Sequence, residues 1–271
     1  TNTGNGTLTI TSIAAAGDFA QTNTCGSTLN PSSSCTISVT FKPTASGSRA
    51  GSITVTDNAP ANPQTATLTG TGTTPVASLA PAFLVFANQL VATTSATQKV
   101  TLTNTGTASL TITNMAASGD FAQTSDCASP IAPAASCSIT VSFTPRATGA
   151  RNGAVTITDN AAGTPQSVSL GGTGVQPAVS LTPASLTFGG QILNTSSTSQ
   201  AVTLKNTGTA TLTITSITAA GNFSASNTCG GSVLAGASCT INVSFTPAAG
   251  GALNGTVTVT DNASPVTQTI N

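Results

Sequence analysis

The sequence predicts an all-β chain, a row of antiparallel β-sandwiches, on three observations. The first is a period. Cys25 and Cys35 return as Cys127 and Cys137 and then as Cys229 and Cys239, 102 residues apart, with no insertion or deletion between copies. Asn2-Thr3-Gly4, Phe41 and Asp57-Asn58 return at the same interval. A fixed period this long is a whole small domain rather than one turn of a solenoid. The second observation is the alternation of apolar residues with threonine and serine, which marks half-buried strands. The third is that no stretch carries a helical period of apolar residues.

The middle copy is complete, and its elements follow in order. Leu84 and Phe86 alternate, then Val100 and Leu102, Leu110 and Ile112, Ile139, Val141 and Phe143, Val155 and Ile157, and finally Val168 and Leu170. Between them stand Thr101, Thr103, Thr111, Thr113, Thr140, Ser142, Thr156, Thr158 and Ser169. Such residues favour a pleated backbone with the apolar face inward and the hydroxyl face outward. Turn signals divide the strands at Asn104-Thr105-Gly106, Gly119-Asp120, Pro130 to Pro133, Pro145 to Gly149, and Asp159 to Pro165. Short strands at this spacing give tandem immunoglobulin-like antiparallel β-sandwiches. Phe121 and Phe143, with Phe19, Phe41, Phe223 and Phe245, read as core anchors rather than a binding platform.

Borders fall at Gly70 to Pro75 and at Gly172 to Pro177, giving repeats 1–75, 76–177 and 178–271, the outer two incomplete at the N- and C-terminal ends. The glycines there read as turn formers. Linkers of about six residues ending in proline leave neighbours little freedom and predict an extended rod. In repeat phase, the counterpart of Leu68 to Leu102 would complete three periods, so the chain is expected to come from a longer array, with any signal peptide or anchor outside it.

Composition narrows the function. Charged residues are 4% of the chain, against about 25% in an ordinary domain. There is no Glu, His, Trp or Tyr, and net charge is zero. Nucleic acid and anionic membrane surfaces therefore find no basic footprint. No apolar run approaches membrane-spanning length, so no direct membrane insertion is expected from this segment. A neutral Thr, Ser, Asn and Gln coat suits an extracellular or cell-surface setting, and opposes self-association with little repulsion.

Each copy carries two cysteines with nine residues between them: Cys25 and Cys35, Cys127 and Cys137, Cys229 and Cys239. One pair per repeat reads as a disulfide inside each repeat, worth about 2–3 kcal/mol in the chain-entropy model. Two thiolates with no His do not fill a tetrahedral zinc site, and a redox pair prefers closer spacing. Structural disulfides place the chain in an oxidising compartment.

The run from Leu102 to Ile112, then Gly119-Asp120-Phe121, Cys127 with Cys137, Ser142-Phe143-Thr144-Pro145 and Val155 to Asp159 resembles the bacterial "choice-of-anchor D" repeat. That repeat is similar to the ASPM–SPD-2–Hydin group of immunoglobulin-like domains. The resemblance spans all three copies and implies secreted or surface-attached bacterial proteins of repetitive build. It implies no catalytic residues.

Catalysis has few groups to draw on. Asp57, Asp159 and Asp261 each precede Asn at a strand end, where an Asx turn accounts for them. Asp18 and Asp120 become Asn222 in the third copy, which suits a turn and not a catalytic acid. Too few carboxylates converge for calcium, and Lys99 and Lys205 occupy different phases, which argues against a repeated lysine–asparagine crosslink. The Thr-x-Thr segments, such as Thr7 to Thr11, reflect strand propensity, since twisted sheets offer no wide flat grid. Asn-x-Ser/Thr triplets matter only in a source that glycosylates them.

The expected function is a structural extracellular protein, a rigid stalk or self-assembling surface filament, with no enzyme activity and no cofactor or metal. The alternative is an adhesin whose loops engage glycan or protein. Self-association points to Phe83 and Val85, which the pattern places outward beside inward Leu84 and Phe86. The third copy carries Ser185 and Thr187 there. The outward pair is either a contact or simply covered by a linker or loop.

Overall fold

The computed structural model describes residues 1–271, and no residue is helical. No helix is long and apolar enough to cross a membrane. The first repeat contains β1 (Leu8–Ala16), β2 (Phe19–Asn23), β3 (Thr28–Leu29), β4 (Ile37–Phe41), β5 (Gly47–Asp57) and β6 (Gln64–Gly72). The second contains β7 (Ala77–Ala80), β8 (Phe83–Val85), β9 (Gln89–Leu90), β10 (Gln98–Asn104), β11 (Ile112–Ala117), β12 (Phe121–Ser125), β13 (Ser136–Phe143), β14 (Gly149–Asp159) and β15 (Gln166–Val175). The third contains β16 (Val179–Thr182), β17 (Gln200–Asn206), β18 (Leu212–Ala219), β19 (Phe223–Asn227), β20 (Ser232–Val233), β21 (Ser238–Phe245), β22 (Val257–Asp261) and β23 (Thr267–Ile270).

In the second repeat one sheet runs β12-β13-β10-β7 and the other β11-β14-β15-β8, with β9 also on β15. Their inner faces enclose Val100, Leu102, Ile139, Val141, Phe143, Val155, Ile157 and Val168, all at most 1% exposed. These are the apolar members of the two-residue alternation. Phe86, Phe121 and Phe143 form one aromatic cluster, with Phe121 stacked on Phe143 at 4.9 Å between ring centres. The third repeat reproduces it with Phe188, Phe223 and Phe245. In the first repeat β4 pairs only with β2, and Val39 is 41% exposed where its counterpart Val141 is fully buried.

Two features depart from a purely local reading. β8 and β9 run parallel to β15, whereas the other named pairings are antiparallel. The chain leaves one sheet at Ala80 and joins the other at Phe83 without reversing, so it meets β15 running the same way. The glycines at the borders are not turn formers. Gly70 and Gly72 lie inside β6, and Gly172 and Gly174 inside β15, so the connections are shorter than the sequence suggests.

Close approach explains them. A Cβ on Gly172 would lie 2.6 Å from the Phe143 ring, and one on Gly174 would lie 2.1 Å from the Ala147 carbonyl oxygen. Phe41 and Ala45 impose the same limits on Gly70 and Gly72. Strand glycine here marks the place where a ring or another backbone lies against the sheet.

A neighbouring pair in β15 isolates this effect. Gly172→Ala is expected to destabilise the second repeat by about 2–3 kcal/mol through overpacking against Phe143. Gly171→Ala, whose Cβ would meet nothing nearer than Asn152 Oδ1 at 4.0 Å, is expected to change little. Denaturant unfolding of the two variants checks the contrast.

Candidate functional site

The most elaborated polar site lies where one repeat hands over to the next. Asn104 ends β10 and is fully buried. Its Nδ2 donates to the carbonyls of Ala108 at 2.8 Å and Ile131 at 3.0 Å. Its Oδ1 accepts from the backbone N–H of Gly106 at 3.0 Å and of Val76 at 3.4 Å. The carboxamide thereby uses both donors and both lone pairs.

The connecting segment is stitched to the same turn. The Thr107 and Ala108 amides donate to the Thr74 carbonyl at 2.8 and 3.1 Å, and the Thr105 amide to that of Val76 at 2.8 Å. The Thr74 amide in turn donates to Thr107 Oγ1 at 3.1 Å. Gly106 lets the strand-like segment pass, because a Cβ there would lie 2.3 Å from Thr74 O and 2.5 Å from Val76 N. Only Thr73 separates the end of β6 from this stitched segment.

The second junction repeats the arrangement. Asn206 donates to Ala210 and Val233 and accepts from Gly208 and Ala178. The Thr209 and Ala210 amides donate to the Gln176 carbonyl, and Gln176 follows β15 directly. Asn2 makes the matching bonds to Gly6, Leu29 and Gly4 in the first repeat. Asn-Thr-Gly reads in sequence only as a turn. Its recurrence without change at the same phase of every repeat was the available signal for more.

The other singled-out residues lie elsewhere. Cys25–Cys35, Cys127–Cys137 and Cys229–Cys239 form disulfides with Cα atoms 4.7–4.9 Å apart, and no cysteine is free. Asp126 lies close to one pair, but those sulfurs are bonded to each other and are not thiolate ligands. Its Oδ1 accepts from the Ser138 amide, a place that threonine oxygens take in the other repeats. Phe83 and Val85 stand 64% and 67% exposed on β8, while Leu84 and Phe86 are buried.

The carboxylates divide into two sets. Asp57, Asp159 and Asp261 are buried, and the Oδ1 of each accepts the amide two residues on, at 2.7–2.8 Å. The next residues, Asn58, Asn160 and Asn262, each accept the amide of Thr9, Thr111 or Thr213 at 2.8 Å and fasten the neighbouring strand. Asp159 Oδ2 and Asp261 Oδ2 have no partner, and burial pushes the Asp261 carboxyl above its ordinary value.

Asp18 and Asp120 are ion-pair members, not only turn residues. Asp18 binds Arg49 and Thr44, and Asp120 binds Arg151 at 2.6 Å with Arg146 beside it. The Arg49 hydrogen bond leads in lowering Asp18 to about 2, and that of Arg151 leads in lowering Asp120. In the third repeat Asn222 and Leu253 replace acid and base together. This paired loss fits a structural role.

Three family models match successive parts of the chain. Residues 1–72 match the HYDIN/CFA65/VesB-like, Ig-like domain. Residues 86–173 match a family described as a protein of unknown function, DUF1573. Residues 177–268 match abnormal spindle-like microcephaly-associated, ASPM-SPD-2-Hydin. The chain is similar to the ASPM–SPD-2–Hydin group of immunoglobulin-like domains.

Among solved structures, a protein of unknown function from Porphyromonas gingivalis W83 is 14% identical with a TM-score of 0.32, over 72% of this chain and 96% of that one. The ASH/PapD-like domain 7 of human CEP192 is 12% identical with a TM-score of 0.30, over 36% of this chain and 84% of that one. Domains 4–9 of the surface layer protein SbsC are 13% identical with a TM-score of 0.27, over 93% of this chain and 39% of that one. Among curated proteins none matches.

Asn104→Ala orphans the Ile131 and Ala108 carbonyls and is expected to cost the second repeat about 2–4 kcal/mol, measured by denaturant unfolding. Gly106→Ala is expected to free the junction, raising amide exchange at Thr74 and Val76. Gly4→Ala, whose Cβ would meet only Asn2 Oδ1 at 3.4 Å, is expected to be mild.

The carboxylates predict opposite pH trends. Folding favours ionised Asp18, so its contribution is present above the ordinary value of 3.8 and is lost as pH falls through about 2. Folding favours protonated Asp261, so its contribution is present below that ordinary value and is lost as pH rises through the raised folded one. Residue-resolved hydrogen exchange on the full chain is expected to lose the first trend in Asp18→Asn and the second in Asp261→Asn.

Proposed function

We propose that this chain is a non-catalytic structural spacer, three immunoglobulin-like domains (1–75, 76–177 and 178–271) held in a stiff extracellular row as part of a stalk or self-assembling surface filament. The observation that carries the reading is the stitched junction. Two separate connections are laid onto an Asn-Thr-Gly turn by the same hydrogen bonds, which leaves at most one free residue between repeats. Short, bonded connections transmit orientation, whereas free linkers do not.

Composition and covalent structure agree with it. One disulfide closes a loop in every repeat, which suits an oxidising exterior. The scarcity of charge removes the repulsion that keeps copies apart. Phe83 and Val85, exposed on β8 and replaced by Ser185 and Thr187 in the third repeat, are the contact through which chains associate.

Two measurements test the reading. Small-angle scattering of the dilute chain is expected to show a rod with a narrow distribution of interdomain angles. A compact particle, or broad angles, would remove the spacer role. Phe83→Ser with Val85→Thr is expected to weaken association in sedimentation at unchanged domain stability. Unchanged association would remove this patch.

A further inference from the structure

Sheet edges are where one chain can pair with another, and in the second repeat all but one of them are closed. β8 is closed by Gln98, whose Nε2 donates to the Val85 carbonyl at 2.8 Å, and β9 is two residues long. β11 is broken by a bulge between Ile112 and Asn114, and Gln123 Nε2 donates to its Met115 carbonyl at 3.2 Å. β7 is four residues long and ends against Pro81, which has no N–H to offer. Bulges, proline and short strands are the usual means of stopping edge pairing. β12, the end strand of β12-β13-β10-β7, has none of them. Its five residues, Phe121 to Ser125, pair with β13 in unbroken register and include no charge and no proline.

The ends of the ladder fix the direction of the free groups. Asp126 N–H donates to the Ser138 carbonyl at 3.2 Å, and Thr144 N–H to that of Asp120 at 2.9 Å. Backbone groups alternate in direction along an antiparallel strand, so the even-numbered residues face β13. The amides and carbonyls of Phe121, Gln123 and Ser125 therefore point away from the sheet, and no backbone group of the chain meets them.

We propose that this edge is a self-association site whose occupant is β12 of a second copy, antiparallel about a two-fold axis at Gln123. In that register Gln123 faces Gln123, and Phe121 faces Ser125 of the second copy. Each such pair exchanges N–H and C=O in both directions. Ala122 comes beside Thr124, both small and exposed, so no bulky side chain obstructs the join. The four-stranded sheet thereby continues into that of the second copy.

Charge selects the partner and the direction. Asp126, exposed just beyond the strand, has no ion-pair partner. At the other end the Arg146 side chain is 85% exposed beside Asp120, which Arg151 already binds at 2.6 Å. Antiparallel pairing carries Asp126 to Arg146 of the second copy at both ends of the join. Parallel pairing would set Asp126 against Asp126. The first and third repeats have Thr24 and Thr228 in place of Asp126, and Thr44 and Ala248 in place of Arg146. Their edges lack both flanking charges, so the second repeat selects itself. β12 lies next to β11, on the flank opposite β8. The contact is therefore separate from that of Phe83 and Val85 and does not rest on it.

Sedimentation of the full chain over a concentration series tests this. Asp126→Lys and Arg146→Glu each set like charges across the join, and each alone is expected to weaken dimerisation at least about tenfold. Mixed in equal amounts, the two variants present opposite charges to each other at both ends, and are expected to associate as tightly as the unaltered chain. A merely structural loss is not restored by mixing. Ser125→Pro removes an outward amide and none that β13 uses, and is expected to abolish the pairing at an unchanged unfolding midpoint. Single charge variants that dimerise as well as the unaltered chain, mixing that restores nothing, or dimerisation unchanged by Ser125→Pro overturns the proposal. Phe83→Ser with Val85→Thr leaves this edge intact, so the two contacts fail separately.

Discussion

Buried backbone groups at the point of hand-over must find partners, and in this chain one carboxamide supplies them. Asn104 reaches three separate pieces of backbone, the incoming Val76, its own turn at Gly106 and Ala108, and the remote Ile131. An aspartate lacks the two donors and a serine lacks the reach. The interaction is short-range and uncharged, so salt screens little of it. The connecting segments at the junctions are therefore held by hydrogen bonds made in two directions at once. No ion pair takes part.

Within the second and third repeats the corresponding constraint is the thickness of the sandwich around three phenylalanine rings. Trp and Tyr are absent, so phenylalanine alone supplies the bulk, and it is fitted by removing side chains from the strands it touches. Gly153 lies against Phe121 and Gly172 against Phe143. Glycine in a strand costs about 0.5–1 kcal/mol of backbone entropy, which close aromatic packing offsets. The polar rim is more permissive. Asp120 with Arg151 in one repeat gives way to Asn222 with Leu253 in another while the neighbouring strands keep their register.

Much of the fold was legible because alternation is local. Val100, Leu102, Ile139, Val141 and Phe143 are inward in the pattern and buried in the structure. What stayed hidden depends on remote partners. Gly-x-Gly looks the same whether it turns the chain or makes room for a ring, and only the position of Phe143 decides. Asn-Thr-Gly announces a turn, but the burial of Asn104 follows from Ile131, 27 positions away. The Asp18–Arg49 pair spans 31 positions, and the parallel course of β8 leaves no trace in an alternation that reads identically in both directions.

That parallel edge has a mechanical consequence. The chain enters the second repeat at β7 and β8 and leaves it at the end of β15, and β8 and β9 lie beside β15 pointing the same way. A pull on the two ends drives these strands lengthwise past each other. Their hydrogen bonds, including those from Phe86 to Gly171 and from Val91 to Val175, then bear load together rather than opening one at a time. Resistance of this kind is set by the unfolding rate and not by equilibrium stability. A repeat built this way resists extension even where its equilibrium stability is modest.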